Sequence, residues 1–145
     1  MNKIIAAIML SASLAGCASS GRVGDLPVAG DTASQLVLVR PSAIIGATNS
    51  YYVNLDGKDV FSIRSGENTE FPIAAGEHHI SVKCFGGWSP TWKEDSKQFV
   101  AAKGQPNYFE ISPNMKCAQI EQVAEVAGKQ AVAKTKFVSP DTVSK

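Results

Sequence analysis

Asp56-Gly57 stands between two β-rich segments, residues 51–55 and 58–64. An Asp-Gly pair supplies the positive φ angles of a tight primed turn, whose twist matches that of the flanking strands. One antiparallel hairpin is therefore written locally, and any fold of this chain must accommodate it. Similar punctuation runs along the sequence. Residues 35–40 carry Leu36, Val37, Leu38 and Val39 as an apolar run stopped by Pro41. Residues 69–73 read as a short strand. Ala75-Gly76 turns into residues 77–85, where His78, Ile80, Val82 and Cys84 share one face and His79, Ser81 and Lys83 the other. Residues 97–102 and 107–111 are expected to form a second hairpin around Gly104-Gln105-Pro106, and residues 116–123 a last strand. Residues 125–136, rich in Ala, Lys and Gln, predict a C-terminal helix that Gly128 weakens. About seven short strands spaced by turn signals predict a mainly β chain, an antiparallel β-sandwich with a short C-terminal helix.

The N-terminal segment has a different character. Lys3 precedes an apolar run over residues 4–14 that only Ser11 and Ser13 interrupt, and Leu14-Ala15-Gly16-Cys17 closes it. The run is too short to cross a bilayer, which takes about 20 apolar residues, so it reads as a secretory signal. Its ending closely resembles the lipobox of bacterial lipoproteins. That resemblance implies cleavage before Cys17, lipidation of the Cys17 sulfur and acylation of the new amino group. The other reading is an ordinary cleaved signal that leaves Cys17 bare. In double-membrane bacteria a residue other than aspartate after the lipidated cysteine implies the outer membrane. Ala18 holds that place here, so the expected address is that membrane, facing the periplasm. The expected organisation is a signal peptide over 1–16 and a lipidated cysteine with flexible tether over 17–34. A sandwich domain over 35–138 and a frayed tail over 139–145 follow. As a coil, such a tether would span roughly 20–25 Å.

Charge narrows the partners. Lys3 is the only charged residue of the signal, so its removal takes 14 basic residues to 13 against 13 acidic ones. A near-neutral chain without basic clusters gives no support to nucleic-acid binding or to electrostatic attraction to anionic lipid. Membrane attachment is expected through acyl chains, at ~0.8 kcal/mol per buried methylene. Cys84 and Cys117 remain as a pair in an oxidising compartment. They form either a disulfide, closing a loop of about 34 residues worth roughly 3–4 kcal/mol, or two buried thiols. A metal site is not expected. Neither cysteine belongs to a Cys-x-x-Cys pair, and the adjacent His78 and His79 point to opposite faces of a strand.

Three stretches carry a resemblance. They are Val39-Arg40-Pro41-Ser42, Tyr52-Val53-Asn54-Leu55-Asp56-Gly57-Lys58 and Ala75-Gly76-Glu77-His78-His79-Ile80. In order and spacing they look like a bacterial lipoprotein family known only as a domain of unknown function, and the last two are similar to PEGA repeats of envelope proteins. Pro106-Asn107-Tyr108-Phe109-Glu110-Ile111 matches that family's aromatic hairpin. The resemblance covers most of residues 35–135. It implies a compact β-rich envelope domain and brings no catalytic residues or cofactor.

Chemistry is sparse. No nucleophile elbow, Ser-His-Asp order or His-Glu-x-x-His helix is present. Cys84 and His78 lie about 20 Å apart along one strand, too far for proton transfer. His78 reads as a packed histidine satisfied by backbone, or as a ligand or pH-sensing group, and His79 as solvated. The loop from Phe85 to Trp92, with Trp88, either presents aromatic rings to a partner or folds back to cap the sandwich. Ile44 and Ile45 mark a second candidate in the loop over 42–50. Arg40 either offers a guanidinium to an anionic group or is a solvated surface residue. The expected function is a non-enzymatic, membrane-anchored envelope lipoprotein that binds or scaffolds an envelope protein or cell-wall glycan through Trp88 and Trp92. The alternative is a carrier or sensor of a small apolar ligand, held between the sheets or under the Ile44-Ile45 loop.

Overall fold

A computed structural model of the protein describes residues 20–86 and 91–144. Within them the strands are β1 (Gly21–Arg22), β2 (Ser34–Arg40), β3 (Tyr51–Leu55), β4 (Lys58–Ile63), β5 (Glu67–Ile73), β6 (Gly76–Gly86), β7 (Thr91–Ala101), β8 (Pro106–Pro113), β9 (Ala118–Val123) and β10 (Lys136–Phe137), with helix α1 (Glu125–Ala133). They form two five-stranded sheets, ordered β1-β4-β3-β6-β7 and β10-β5-β2-β8-β9. The chain is a mainly β sandwich with one short C-terminal helix. Leu36, Leu38, Val53, Phe61, Phe71, Ile80, Val82, Phe99, Phe109 and Ile120 pack between the sheets. Eight strands have five residues or more, each overlapping one of the segments read as strands from the sequence, and the two-residue β1 and β10 edge the sheets.

The Asp-Gly hairpin forms as read. Asp56 and Gly57 take φ of 51° and 85°, and β3 pairs antiparallel with β4 through a register shift between Val53 and Asn54. The second expected hairpin does not form. β7 pairs with β6 along 11 residues, from Gly76↔Ala101 to Gly86↔Thr91, while β8 lies in the other sheet, parallel to β2 and antiparallel to β9. The reason is burial on both faces. Val37 and Val39 of β2 and Tyr108 of β8 point outward, yet they are buried beneath α1 with Val123, Ala131 and Val132. Strands apolar on both faces belong at the centre of a covered sheet, whereas β7 has one wet face and suits an edge.

Gly128 has a packing role. A Cβ there would lie 2.3 Å from the Tyr108 ring, so the residue that lowers helix propensity lets α1 sit close against the sheet. The helix ends at Ala133, three residues short of the expected end, and Lys136 and Phe137 then add to β5 in parallel.

Two expected flexible segments are corrected. Residues 20–34 are not a free tether: β1 pairs with β4, Val23 donates its amide to Val60, and Leu26 packs on the core. Nor is the tail frayed over 139–144. Arg22 exchanges backbone hydrogen bonds with Thr142 and Ser144 (2.6 and 2.9 Å), and Val143 bridges Arg22. A two-residue edge strand leaves backbone groups open, and the tail satisfies them. The signal region and Cys17 lie outside the described residues.

Candidate functional site

One pole of the sandwich gathers Arg40, Ile44, Ile45, Cys84, Trp92 and Cys117. β2 ends there at Arg40, β3 starts there at Tyr51, and β6 and β7 meet there. Cys84 of β6 is joined by a disulfide to Cys117, in the link between β8 and β9 of the other sheet. Of the two readings of the cysteines, the bridged one holds.

Arg40 organises this pole from within. Its side chain is 1% exposed, so it neither reaches an anionic ligand nor sits in solvent, and both sequence readings of it are corrected. It faces inward because β2 alternates, placing Leu36, Leu38 and Arg40 on the core side. The guanidinium Nη1 donates to the carbonyls of Asn49 (2.6 Å) and Ile63 (2.9 Å), and Nη2 donates to Gly46 (2.6 Å). It lies 3.5 Å from the centroid of the Tyr51 ring, a cation–π contact in a dry setting. Burial pulls its pKa below the ordinary arginine value, partly offset by Tyr51 and Glu67. Tyr51 in turn donates its hydroxyl to the Cys117 carbonyl at 3.0 Å. One chain of contacts thus runs from the disulfide through Tyr51 and Arg40 into the loop over 41–50.

That loop is held from below and open above. Gly46 takes φ of 70°, and a Cβ there would come within 2.6 Å of the Tyr51 hydroxyl oxygen, so glycine is required. Arg40 and Tyr51 fill the space beneath the loop. Ile44 and Ile45 project outward, 98% and 75% exposed. Met115, in the link between β8 and β9, is 87% exposed at the same pole. It received no weight in the sequence, because an isolated methionine has no periodic signature.

The tryptophan region is only partly a loop. β6 runs to Gly86 and β7 starts at Thr91, so Phe85 and Trp92 are cross-strand partners. Their rings meet edge-on at 5.7 Å, and Tyr52 meets Trp92 at 5.7 Å from the other side. Trp92 is 59% exposed and does not fold back over the sandwich end. Trp88 lies outside the described residues. Phe85 opens the loop that the sequence singles out, but Tyr52 was missed as a member of this patch. Strand alternation puts Tyr52 on the outer face, but its nearness to Trp92 depends on β3, β6 and β7 being successive neighbours.

His78 sits at the opposite pole. Its Nδ1 lies 2.6 Å from Asp56 Oδ2 and its Nε2 2.7 Å from the Ala74 carbonyl. The second Asp56 oxygen accepts the His79 amide at 2.9 Å. Burial opposes charge on the ring, but the Ala74 carbonyl and the Asp56 carboxylate outweigh it and hold the pKa above its ordinary value. His78 is packed and satisfied as expected, with a carboxylate besides the backbone, and His79 is exposed. Nearby, Asp59 accepts from Lys83 and Asn54; burial works against its charge, yet these partners draw its pKa down. Among the described residues no three His, Cys, Asp or Glu side chains are placed to share a metal ion, and no helix is long and apolar enough to cross a membrane.

No protein-family model matches this chain, and no curated protein matches it.

Proposed function

We propose that this chain is a lipid-anchored envelope protein whose sandwich is a non-enzymatic binding module, engaging an envelope protein or cell-wall glycan. The observation that carries this reading is the patch of Tyr52, Phe85 and Trp92. Trp92 meets Phe85 and Tyr52 edge-on across the neighbouring strands β7, β6 and β3 on the outer face of the sheet, with Phe85 and Trp92 more than half exposed. Rings held at fixed angles offer apolar area with little side-chain entropy to lose on binding, which suits protein and sugar partners alike. The Asp56–His78 pair, which lines a depression with Glu77, Gln98 and Phe99, is already satisfied within itself, which supports a binding role over a catalytic one. The anchor rests on the lipobox-like ending at Cys17 and the outer-membrane address on Ala18.

In-cell crosslinking followed by pull-down of wild type and of a Phe85→Ala/Trp92→Ala variant tests the reading. Partners recovered by the wild type alone are the expected result. Identical partner profiles from two equally folded proteins would reject the ring patch as the site.

A further inference from the structure

We propose that the pole bearing Ile44, Ile45 and Met115 is a membrane-docking surface, seated on the lipid surface to which Cys17 is anchored. The inference rests on the anchoring reading above and goes beyond it by fixing which face of the domain meets lipid.

The first observation is where the chain emerges. Ser20 donates its hydroxyl to Glu67 at 2.8 Å, and Glu67 is the register partner of Arg40. β1 then runs away from this pole, since Gly21 pairs with Ser62 and Arg22 with Phe61. The described residues therefore begin at the same pole as the isoleucine loop. Ala18 and Ser19 alone separate Cys17 from Ser20. Three peptide links reach at most about 11 Å, far less than the 11-residue length of β6, about 36 Å at strand rise. A lipidated Cys17 leaves this pole within reach of the headgroups and holds the opposite pole away.

The second observation is what the pole presents. The loop over 41–50 contains no charged residue. Its two isoleucines point away from the domain and contribute nothing to the core, while the backbone beneath them is clamped by two Arg40 hydrogen bonds, to Gly46 and Asn49, and Arg40 is itself tied to Ile63 of β4. Met115 adds a third exposed apolar side chain, followed by Lys116. Arg64 stands in the turn leading to β5, and Lys93 faces Cys84 across the β6–β7 ladder. Glu67, which accepts the Arg64 amide, and Glu94 and Asp95 of β7 stand at the same pole, so its charge is mixed. Uncharged apolar tips on a charge-balanced pole suit the interface of a lipid membrane, into which such groups insert by several ångströms. A preformed loop suits this task, because insertion then requires no ordering of backbone.

The test uses the full-length protein purified from membranes of its host, with intact mass measured first. In that chain the other cysteines are lipidated or bridged, so an Ile45→Cys substitution provides one labelling site at the proposed surface. Lys103→Cys provides one at the opposite pole. Each is labelled with an environment-sensitive nitrobenzoxadiazole probe and reconstituted into vesicles of three parts phosphatidylethanolamine to one of phosphatidylglycerol. Docking predicts blue-shifted emission at position 45, quenched by lipids spin-labelled near the headgroup, with a water-like, unquenched probe at position 103. A diacylated or triacylated mass together with equally wet probes at both sites overturns docking and leaves the anchor standing. A bare Cys17 overturns the anchor, and docking with it. A fully lipidated Ile44→Asp variant of the Ile45→Cys protein should lose the blue shift; an unchanged shift also counts against the loop as the contact.

Discussion

Arg40 holds a full charge within a dry core using three carbonyls and one aromatic face. Replacing it by Met keeps the bulk but leaves the carbonyls of Gly46, Asn49 and Ile63 without their donor. Hydrogen bonds from a charged group are worth about 1.5–3 kcal/mol each, less what the loop regains by opening to water. Arg40→Met should therefore lower unfolding stability by about 3 kcal/mol in urea titration. Arg40→Lys should recover part of it, since an ammonium cannot span the same fork. His78 makes a prediction with a definite sign. Its folded pKa is raised, so the stabilisation is complete below the unfolded value of 6.5 and fades as pH climbs through the folded value. Wild type should lose stability from pH 6 towards pH 8 relative to His78→Asn, measured as the difference between their urea midpoints. At this scale the sequence was partly legible. The partners of His78 are local to two turns, but the burial of Arg40 was hidden, because a charged residue before proline has the signature of a strand end at the surface.

Elements follow local patterning, and their neighbours do not. The β3–β4 hairpin formed because its turn residues and strand residues are contiguous, so no distant contact can override them. The turn at Gly104-Gln105-Pro106 was correctly seen as a reversal, yet it links two sheets and not two paired strands. Alternation in β7 and β8 says which side chains face inward, but not which sheet each strand joins. Helix α1 shows propensity and packing in opposition. On an exposed helix Gly→Ala stabilises by about 1 kcal/mol. Here Gly128→Ala should destabilise by about 1–3 kcal/mol through overpacking against Tyr108. Thermal unfolding of Gly128→Ala, alone and combined with Tyr108→Ala, checks this. The alanine should be harmful alone and cost much less when the ring is gone.

At the scale of the whole molecule, the disulfide ties β6 of one sheet to the link between β8 and β9 of the other. Cys84→Ser/Cys117→Ser should lose about 3–4 kcal/mol of stability by the loop-entropy model. It should also loosen the loop over 41–50, because the Cys117 carbonyl holds Tyr51, whose ring supports Arg40. Hydrogen exchange of residues 43–50 would register that loosening as faster exchange, and unchanged exchange would separate the loop from the bridge. The sequence by itself determined strand class, the Asp-Gly hairpin, the C-terminal helix and an oxidisable cysteine pair, since each depends on neighbours a few residues away or on composition. Only the tertiary structure decided that β2 and β8 lie side by side beneath α1, and that Arg40 turns inward. It alone decided that residues 20–34 and 139–144 lie along the sandwich and not loose beside it. Those outcomes depend on which buried faces and open edges find each other across the whole chain, and period-two alternation carries no record of that choice.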